Sequence, residues 1–153
     1  MVTLAASFRT ESQRIHNEHQ AMEQFLAKLD AGLDRLVCYS EVYANLATAR
    51  EVAALGRHLT GEFPDHCRRD EASLLDPVSE VSPELREFCS QKKLEHQTLR
   101  MRLDVFRSAL DDFESEACDL YEAICHLKDS GKDLTRELRR HVDSEEQELS
   151  GFL

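Results

Sequence analysis

The fold is decided by residues 120–149 of the chain, which read LYEAICHLKDSGKDLTRELRRHVDSEEQEL. Core-type residues recur here at every third or fourth position, which is the spacing of one face of an α-helix. The row consists of Leu120, Ile124, Leu127, Gly131, Leu134, Leu138, His141, Glu145 and Leu149. His141 and Glu145 interrupt this otherwise apolar face, and they need buried partners because an unpaired buried charge costs several kcal/mol.

The composition favours a single all-α domain over residues 1–153. The chain is 41% hydrophobic and 32% charged, with 5 glycines, 3 prolines and no tryptophan. A chain of this length supports one core, and so few glycines and prolines favour long helices over strands joined by tight turns. We therefore expect one helical domain.

The charge of the chain excludes several classes of partner. A net charge of −11 at pH 7 without a basic cluster disfavours nucleic acid and anionic membranes as partners. The sequence shows neither a signal peptide nor an apolar run of about 18 residues, so we expect a cytoplasmic protein. Its 5 cysteines form no C-x-x-C pair and are expected to be free thiols. Cys67 follows His66 directly, and a redox role for its thiol stays open.

The same periodicity predicts three more long helices. Predicted helix A spans about residues 4–36, helix B about 40–75 with Ser40 as its N-cap, helix C begins after Ser82, and helix D runs to about Leu149. Four long helices with short connections predict an up-down-up-down antiparallel four-helix bundle.

Several positions predict breaks in these helices. Pro64 should kink helix B or start a new segment, because proline donates no backbone hydrogen bond. Residues 76–84 are predicted to form a loop that ends with Ser82 as N-cap and Pro83 at the first helical position. An acidic turn is predicted at residues 111–116. Gly131 weakens helix D, which we nevertheless predict as one element.

Each predicted helix carries one histidine on its apolar face, namely His19, His66, His96 and His141. In antiparallel neighbours, residues at equal height are symmetric about the connecting loop. The midpoints between successive histidines fall at or near the predicted connections, so the four imidazoles are predicted to meet in one layer.

Two of these histidines have a carboxylate one turn later. His66 precedes Asp70 and His141 precedes Glu145 by four residues, which places nitrogen and oxygen donors on one helical face. Such donors suit iron, manganese or zinc. Four histidines and two carboxylates favour two ions with carboxylate bridges, and we expect iron.

Other residues compete for these roles. His58 and Glu62 repeat the four-residue spacing and are an alternative to His66 and Asp70. Glu71 and Glu146 are alternatives to the acids that precede them. His16 and His126 lie off the apolar faces, and His126 is expected to be solvated.

With these motifs the chain resembles the hemerythrin-like, or HHE cation-binding, family over nearly its whole length. Four segments carry the resemblance: EHQAM at residues 18–22, HCRRDEASLL at 66–75, LEHQTL at 94–99 and HVDSEEQEL at 141–149. It implies a non-haem di-iron centre with His19, His66, Asp70, His96, His141 and Glu145 as ligands and with Asp70 and Glu145 as bridges.

The chain departs from the pattern of that family in two places. Oxygen-carrying members have a second histidine one turn after the helix C histidine, where this chain has Arg100. Asp70 stands where glutamate is usual. Arg100 is either a solvated edge residue or a positive charge beside a bound anion or peroxide. These changes argue against simple reversible oxygen carriage.

The leading functional hypothesis is a di-iron protein that binds dioxygen, nitric oxide or a peroxide for sensing, scavenging or iron handling. A di-iron enzyme, such as an oxidase, a peroxide or nitric oxide reductase, or an iron-centre repair factor, is the second hypothesis. A metal-free helical adaptor is the third.

Overall fold

The computed structural model describes residues 4–37, 45–116 and 119–152, and over these residues the chain is helical with no β-strand. The helices are α1 (Leu4–Arg35), α2 (Leu46–Asp70), α3 (Asp76–Ser79), α4 (Pro83–Ser115) and α5 (Leu120–Phe152). A π-helical segment, Glu71–Leu75, joins α2 to α3. The all-α prediction is confirmed. No described helix has the length and apolar character needed to cross a membrane.

Each of the four long helices packs against two others. Helices α1 and α4 each contact both α2 and α5. Two apolar clusters result, a large one that includes Leu29, Phe63 and Phe106 and a small one that includes Ile15 and Leu74. Along α1, α4 and α5, the predicted histidine lies between residues of one cluster and residues of the other. Beyond His66 of α2, the residues of the small cluster are Leu74 and Leu75 of the π segment. The polar layer therefore divides the core.

Helix α5 is continuous through Gly131, as predicted, and the glycine allows a close approach. A Cβ atom at Gly131 would lie 2.7 Å from Leu33 and 3.1 Å from Phe106. Such distances are too short for ordinary packing, so the absence of a side chain lets α5 settle against α1 and α4. Gly131 therefore weakens the helix locally but permits this close packing.

The predicted connections need correction. The first part of predicted loop 76–84 is helical, and only residues 80–82 separate α3 from α4. Ser82 caps α4 as predicted, because its Oγ accepts a hydrogen bond from the backbone N–H of Leu85 at 3.2 Å. The predicted N-cap Ser40 lies outside the described residues.

The predicted acidic turn at residues 111–116 is wrong. Helix α4 continues to Ser115, and the chain turns at Glu116 with a left-handed φ of 55°. Leu110 and Phe113 are buried and extend the apolar face of α4 past the predicted end. The acids in this stretch occupy the outer side of the helix.

Helix α2 runs through Pro64 without starting a new segment. Proline has no N–H to donate to the carbonyl oxygen four residues earlier, which belongs to Thr60. The guanidinium of Arg107 on α4 donates to that oxygen at 3.0 Å. A side chain of the neighbouring helix thus replaces the missing backbone donor.

Replacing Arg107 with methionine should therefore lower the free energy of unfolding by about 1 kcal/mol, because it leaves a buried carbonyl without a donor. Urea unfolding measures the change. The matched control is the same substitution in a Pro64→Ala background, where the introduced alanine supplies the backbone N–H and the loss should shrink. An equal loss in both backgrounds would contradict this account.

Asp30 ties α1 to α5 in a mostly buried position. Its carboxylate accepts hydrogen bonds from Lys132 at 2.6 Å and Arg139 at 2.7 Å. Burial raises the pKa of Asp30, but the hydrogen bonds from Lys132 and Arg139 outweigh burial and lower it overall. A lowered pKa means that the folded state favours the ionised carboxylate, so this stabilisation is present at neutral pH and is lost as pH falls through the pKa.

Replacing Asp30 with asparagine should lower the free energy of unfolding at pH 7 by about 1–2 kcal/mol. The difference from the unsubstituted protein should begin to narrow as the pH drops below about 4, the ordinary pKa of aspartate in the unfolded chain, and should vanish below the lowered pKa of the folded protein. Urea unfolding across this pH range checks both points. A loss that does not change with pH would show that the charge of Asp30 contributes nothing.

Candidate metal centre

The six residues predicted as ligands come together in the layer between the two apolar clusters. None is more than 3% exposed. Helix α1 supplies His19, α4 supplies His96, and the two histidine–carboxylate pairs come from α2 and α5. Their full set is His19, His66, Asp70, His96, His141 and Glu145. The predicted layer of four imidazoles is present.

These residues form two groups of metal-type donors that share Glu145. The four-donor group consists of His19, His66, Asp70 and Glu145, and the three-donor group consists of His96, His141 and Glu145. Within each group, one donor atom per residue lies within 4.8 Å of all the others. The two carboxylate oxygens of Glu145 face opposite groups, with Oε1 3.3 Å from Nε2 of His19 and Oε2 3.3 Å from Nε2 of His141.

Most of the inward-facing polar atoms lack a hydrogen-bond partner. The buried orphans in this layer are the Nε2 atoms of His19, His66, His96 and His141, Oδ2 of Asp70 and both carboxylate oxygens of Glu145. Their mutual contacts of 3.0–3.3 Å lack hydrogen-bond geometry. Buried polar groups are normally satisfied, and these nitrogen and oxygen atoms are the donors that iron, manganese and zinc prefer. The residues fit a metal centre.

The outer nitrogen of every histidine in the layer faces a glutamate of a neighbouring element. The Nδ1–carboxylate pairs are His19 with Glu146 at 2.9 Å, His66 with Glu18 at 2.5 Å, His96 with Glu71 at 3.0 Å and His141 with Glu95 at 2.9 Å. We call these four glutamates the glutamate ring. Glu18 of α1 contacts α2, Glu71 of the π segment contacts α4, Glu95 of α4 contacts α5, and Glu146 of α5 contacts α1.

This glutamate ring fixes the direction of the imidazoles. A carboxylate accepts a hydrogen bond, so each Nδ1 carries a proton and each Nε2 faces the layer, where it offers a lone pair to a metal ion when the imidazole is neutral. Glu71 and Glu146, considered above as alternative ligands, are partners of Nδ1 atoms. Sequence reasoning missed Glu18 and Glu95, although each directly precedes a predicted histidine ligand.

The π segment contributes to this arrangement. It begins at Glu71, directly after the donor Asp70, and a π-turn holds more residues than an α-turn. The two adjacent residues have different partners at this junction, since Asp70 contacts His66 at 3.0 Å while Glu71 reaches His96 on α4.

Positively charged side chains lie behind three glutamates of the ring. Arg14 donates to Glu18 at 2.7 Å and contacts Asp70 at 3.4 Å. Arg100 donates to Glu71 at 3.2 Å. Its side chain is 37% exposed, so Arg100 is a partly exposed ion-pair partner of the ring. A role of its charge beside a bound anion stays a prediction.

The third cation, Lys92, is fully buried on the apolar face of α4. Its Nζ donates to Glu95 at 3.1 Å and to Ser144 at 2.7 Å. Because buried ammonium groups require compensation, these contacts explain a lysine in the core, and they hold the glutamate that orients His141.

The surroundings shift the pKa values of His66 and His96 in opposite directions. Burial lowers the pKa of His66, but contacts with Asp70 and Glu18 outweigh burial and raise it to about 9. Burial and the charge of His141 lower the pKa of His96 to about 4. His96 is therefore neutral at pH 7. Burial also raises the pKa of the Cys67 thiol, which argues against a reactive thiolate beside His66.

The competing histidines lie outside both donor groups. His58 is exposed and stacks on Phe25 with a centroid distance of 4.7 Å. His16 is exposed and contacts the ring glutamate Glu146 at 3.0 Å. His126 has a 44% exposed side chain. Glu62, the partner of His58 in the alternative pair, is exposed as well.

Comparison with known proteins gives one informative match. The model of the family described as the hemerythrin HHE cation-binding domain matches residues 10–153. Cytospin-A of Homo sapiens and cytospin-A of Pan troglodytes are each 38% identical over 64 residues, which is 42% of this chain but only 6% of cytospin-A. No solved structure matches the chain. Because the family match covers nearly the whole sequence, the chain belongs to the hemerythrin HHE cation-binding domain family.

Proposed function

We propose that the protein is a non-haem di-iron protein that binds a small ligand, namely dioxygen, nitric oxide or a peroxide, at the metal centre. The observation that carries the proposal is the sharing of Glu145 between two buried donor groups. A carboxylate with one oxygen towards each group is placed to bridge two ions. Manganese or zinc would suit the same donors.

The side chains would have three tasks in such a protein. The six residues His19, His66, Asp70, His96, His141 and Glu145 would hold the ions. The glutamate ring keeps the Nε2 lone pairs aimed at them. The two apolar clusters exclude water and strengthen electrostatic interactions inside the layer. Bound iron would supply redox chemistry and open coordination positions.

We also propose that the four long helices form the predicted up-down-up-down antiparallel bundle. On α1 and α4 the small cluster precedes the histidine and the large cluster follows it. On α5 the order is reversed, and it is also reversed along α2 and the π segment that follows it, where Leu74 and Leu75 belong to the small cluster. Alternating order along the chain supports alternating helix directions.

The proposed setting is the cytoplasm, with sensing, scavenging or iron handling as the role. The buried cysteines Cys67 and Cys89 are free thiols, which agrees with a reducing compartment. The net charge of −11 supports the absence of nucleic acid and membrane partners. A metal-free adaptor is disfavoured because it would leave the orphaned donors of the layer without a partner.

The test is metal analysis of protein purified without chelator, together with its near-ultraviolet and visible spectrum before and after reduction. The proposal expects about two irons per chain and oxo-bridge absorption that bleaches on reduction. Protein without metal that also gains no thermal stability from anaerobic ferrous iron would overturn it.

A di-iron enzyme is the alternative because the same centre would support redox turnover. A multiple-turnover assay with hydrogen peroxide or nitric oxide as substrate separates the two. Consumption of many equivalents per centre would favour the enzyme, and binding of one equivalent followed by release would favour the binding protein.

A further inference from the structure

The two donor groups differ in what the protein offers to a metal ion. The four-donor group has two imidazoles and two carboxylates, whereas the three-donor group has two imidazoles and only the shared Glu145. An ion in the three-donor group would take more of its ligands from water or from a small molecule.

No other described residue completes the three-donor group. Asp70, which the family resemblance implies as a second bridge, belongs to the four-donor group alone. Its Oδ1 lies 3.4 Å from Arg14 and its Oδ2 lies 3.0 Å from Nε2 of His66. The residue one turn after His96 on the same face of α4 is Arg100, whose guanidinium has no lone pair to donate. Glu71 and Glu95, the acids beside this group, already accept hydrogen bonds from the Nδ1 atoms of His96 and His141. Each is also held by a cation, Arg100 and Lys92 respectively.

Charge does not reverse this asymmetry. Arg100 lies behind the three-donor group, but Arg14 lies 3.4 Å from Asp70, a donor of the four-donor group. Both groups therefore have an arginine nearby. Once an ion occupies the four-donor group, its charge reduces the attraction of the shared Glu145 for a second cation. The smaller number of donors and the earlier occupation of the four-donor group both weaken binding of an ion by the three-donor group.

We propose that the two positions load in sequence, with a tightly held ion in the four-donor group and a weaker, exchangeable ion in the three-donor group. This inference rests on the proposed di-metal function. It assigns the open coordination positions, and hence exchange with external ligands, to the ion held between α4 and α5 by His96 and His141.

The test is anaerobic titration of metal-free protein with cobalt(II), followed by visible absorption and by calorimetry. Removal of a histidine's outer-shell partner typically costs 10–100-fold in metal affinity, so a missing donor should separate the two steps by at least about tenfold. Two equivalents that bind with equal affinity would overturn the inference and leave the di-metal proposal intact. Failure to bind any cobalt would overturn both.

Variants at position 100 test the role of donor count. Arg100→His adds an imidazole on the same helical face as His96 and should strengthen the second step by about tenfold or more without changing the first. Arg100→Met is the matched control, because it removes the charge without adding a nitrogen donor. If Arg100→Met strengthens the second step as much as Arg100→His, charge rather than donor count separates the sites.

A substitution in the other group supplies a second test, in case Arg100→His perturbs folding. Asp70→Ala reduces the four-donor group to three donors and should bring the two titration steps together by weakening the first. Circular dichroism establishes that each variant is folded before titration. Two steps that stay as far apart as in the unsubstituted protein would overturn the inference.

Discussion

Replacing Glu145 with alanine is expected to abolish stable metal binding at both positions at once. Glu145 is 1% exposed and is the only residue common to the four-donor and three-donor groups. Its removal takes a carboxylate donor from each group and leaves the two ions without a bridge. Because loss of an outer-shell partner alone costs about 10–100-fold in affinity, loss of the shared donor should cost at least about 100-fold. Metal content after desalting gives the result directly.

Two variants serve as controls for this prediction. Asp70→Ala removes a donor from the four-donor group alone and should leave the three-donor group able to bind an ion. Glu146→Ala removes a ring glutamate next in sequence to Glu145, and it should weaken binding through His19 without abolishing it. Retention of two ions per chain by the Glu145→Ala variant would show that Glu145 does not bridge the positions.

The long helices and the metal layer could be predicted from the sequence because both follow the helical period. His19, His66, His96 and His141 stand on rows of apolar residues, and any residue on such a row faces the core once the helices pack. The pairs His66–Asp70 and His141–Glu145 lie within single helices, where the distance between side chains is fixed by local geometry. Their burial therefore needed no knowledge of the tertiary structure.

The glutamate ring could not be predicted in this way. Glu18 lies beside the apolar face of α1, and its partner His66 lies 48 residues away on α2. A period within one helix carries no information on the neighbour that a flanking residue meets. The same limit explains Arg107, whose role depends on the carbonyl oxygen of Thr60, which lies on another helix.

The end of α4 and the π segment could not be predicted, for a different physical reason. Acidic residues at 111–116 suggested a turn, but the buried Phe113 gains more from packing than the acids lose by standing on the outer side of a helix. The π segment after Asp70 has no recognisable composition. Its first residue, Glu71, contacts His96 on α4, and the period of one helix carries no information on such a tertiary contact.

Stripping the metal should destabilise the protein because seven buried donor atoms of the layer have no hydrogen-bond partner. A ligand that binds only the folded state, present at 100 times its dissociation constant, adds about 2.7 kcal/mol to the free energy of unfolding. We expect a loss of at least about this size when chelator replaces ferrous iron. Urea unfolding under anaerobic conditions measures the difference.

The same experiment on His96→Leu should give effects of opposite sign in the two conditions. His96 is fully buried, and its lowered pKa keeps it neutral at pH 7 with an unpaired Nε2. In chelator, leucine removes that unsatisfied nitrogen while Glu71 keeps its ion pair with Arg100, so the free energy of unfolding should rise by about 1 kcal/mol. With metal present, the variant loses a donor of the three-donor group and should be less stable than the unsubstituted protein.

The matched control for this reversal is His58→Leu, which changes an exposed histidine outside both donor groups. Its effect on the free energy of unfolding should be the same in chelator and in ferrous iron. If His96→Leu destabilised the protein equally in both conditions, His96 would be a packing residue. If the change in the free energy of unfolding reverses sign with metal for His96→Leu but not for His58→Leu, the polar residues of the layer serve ion binding and reduce the stability of the metal-free fold.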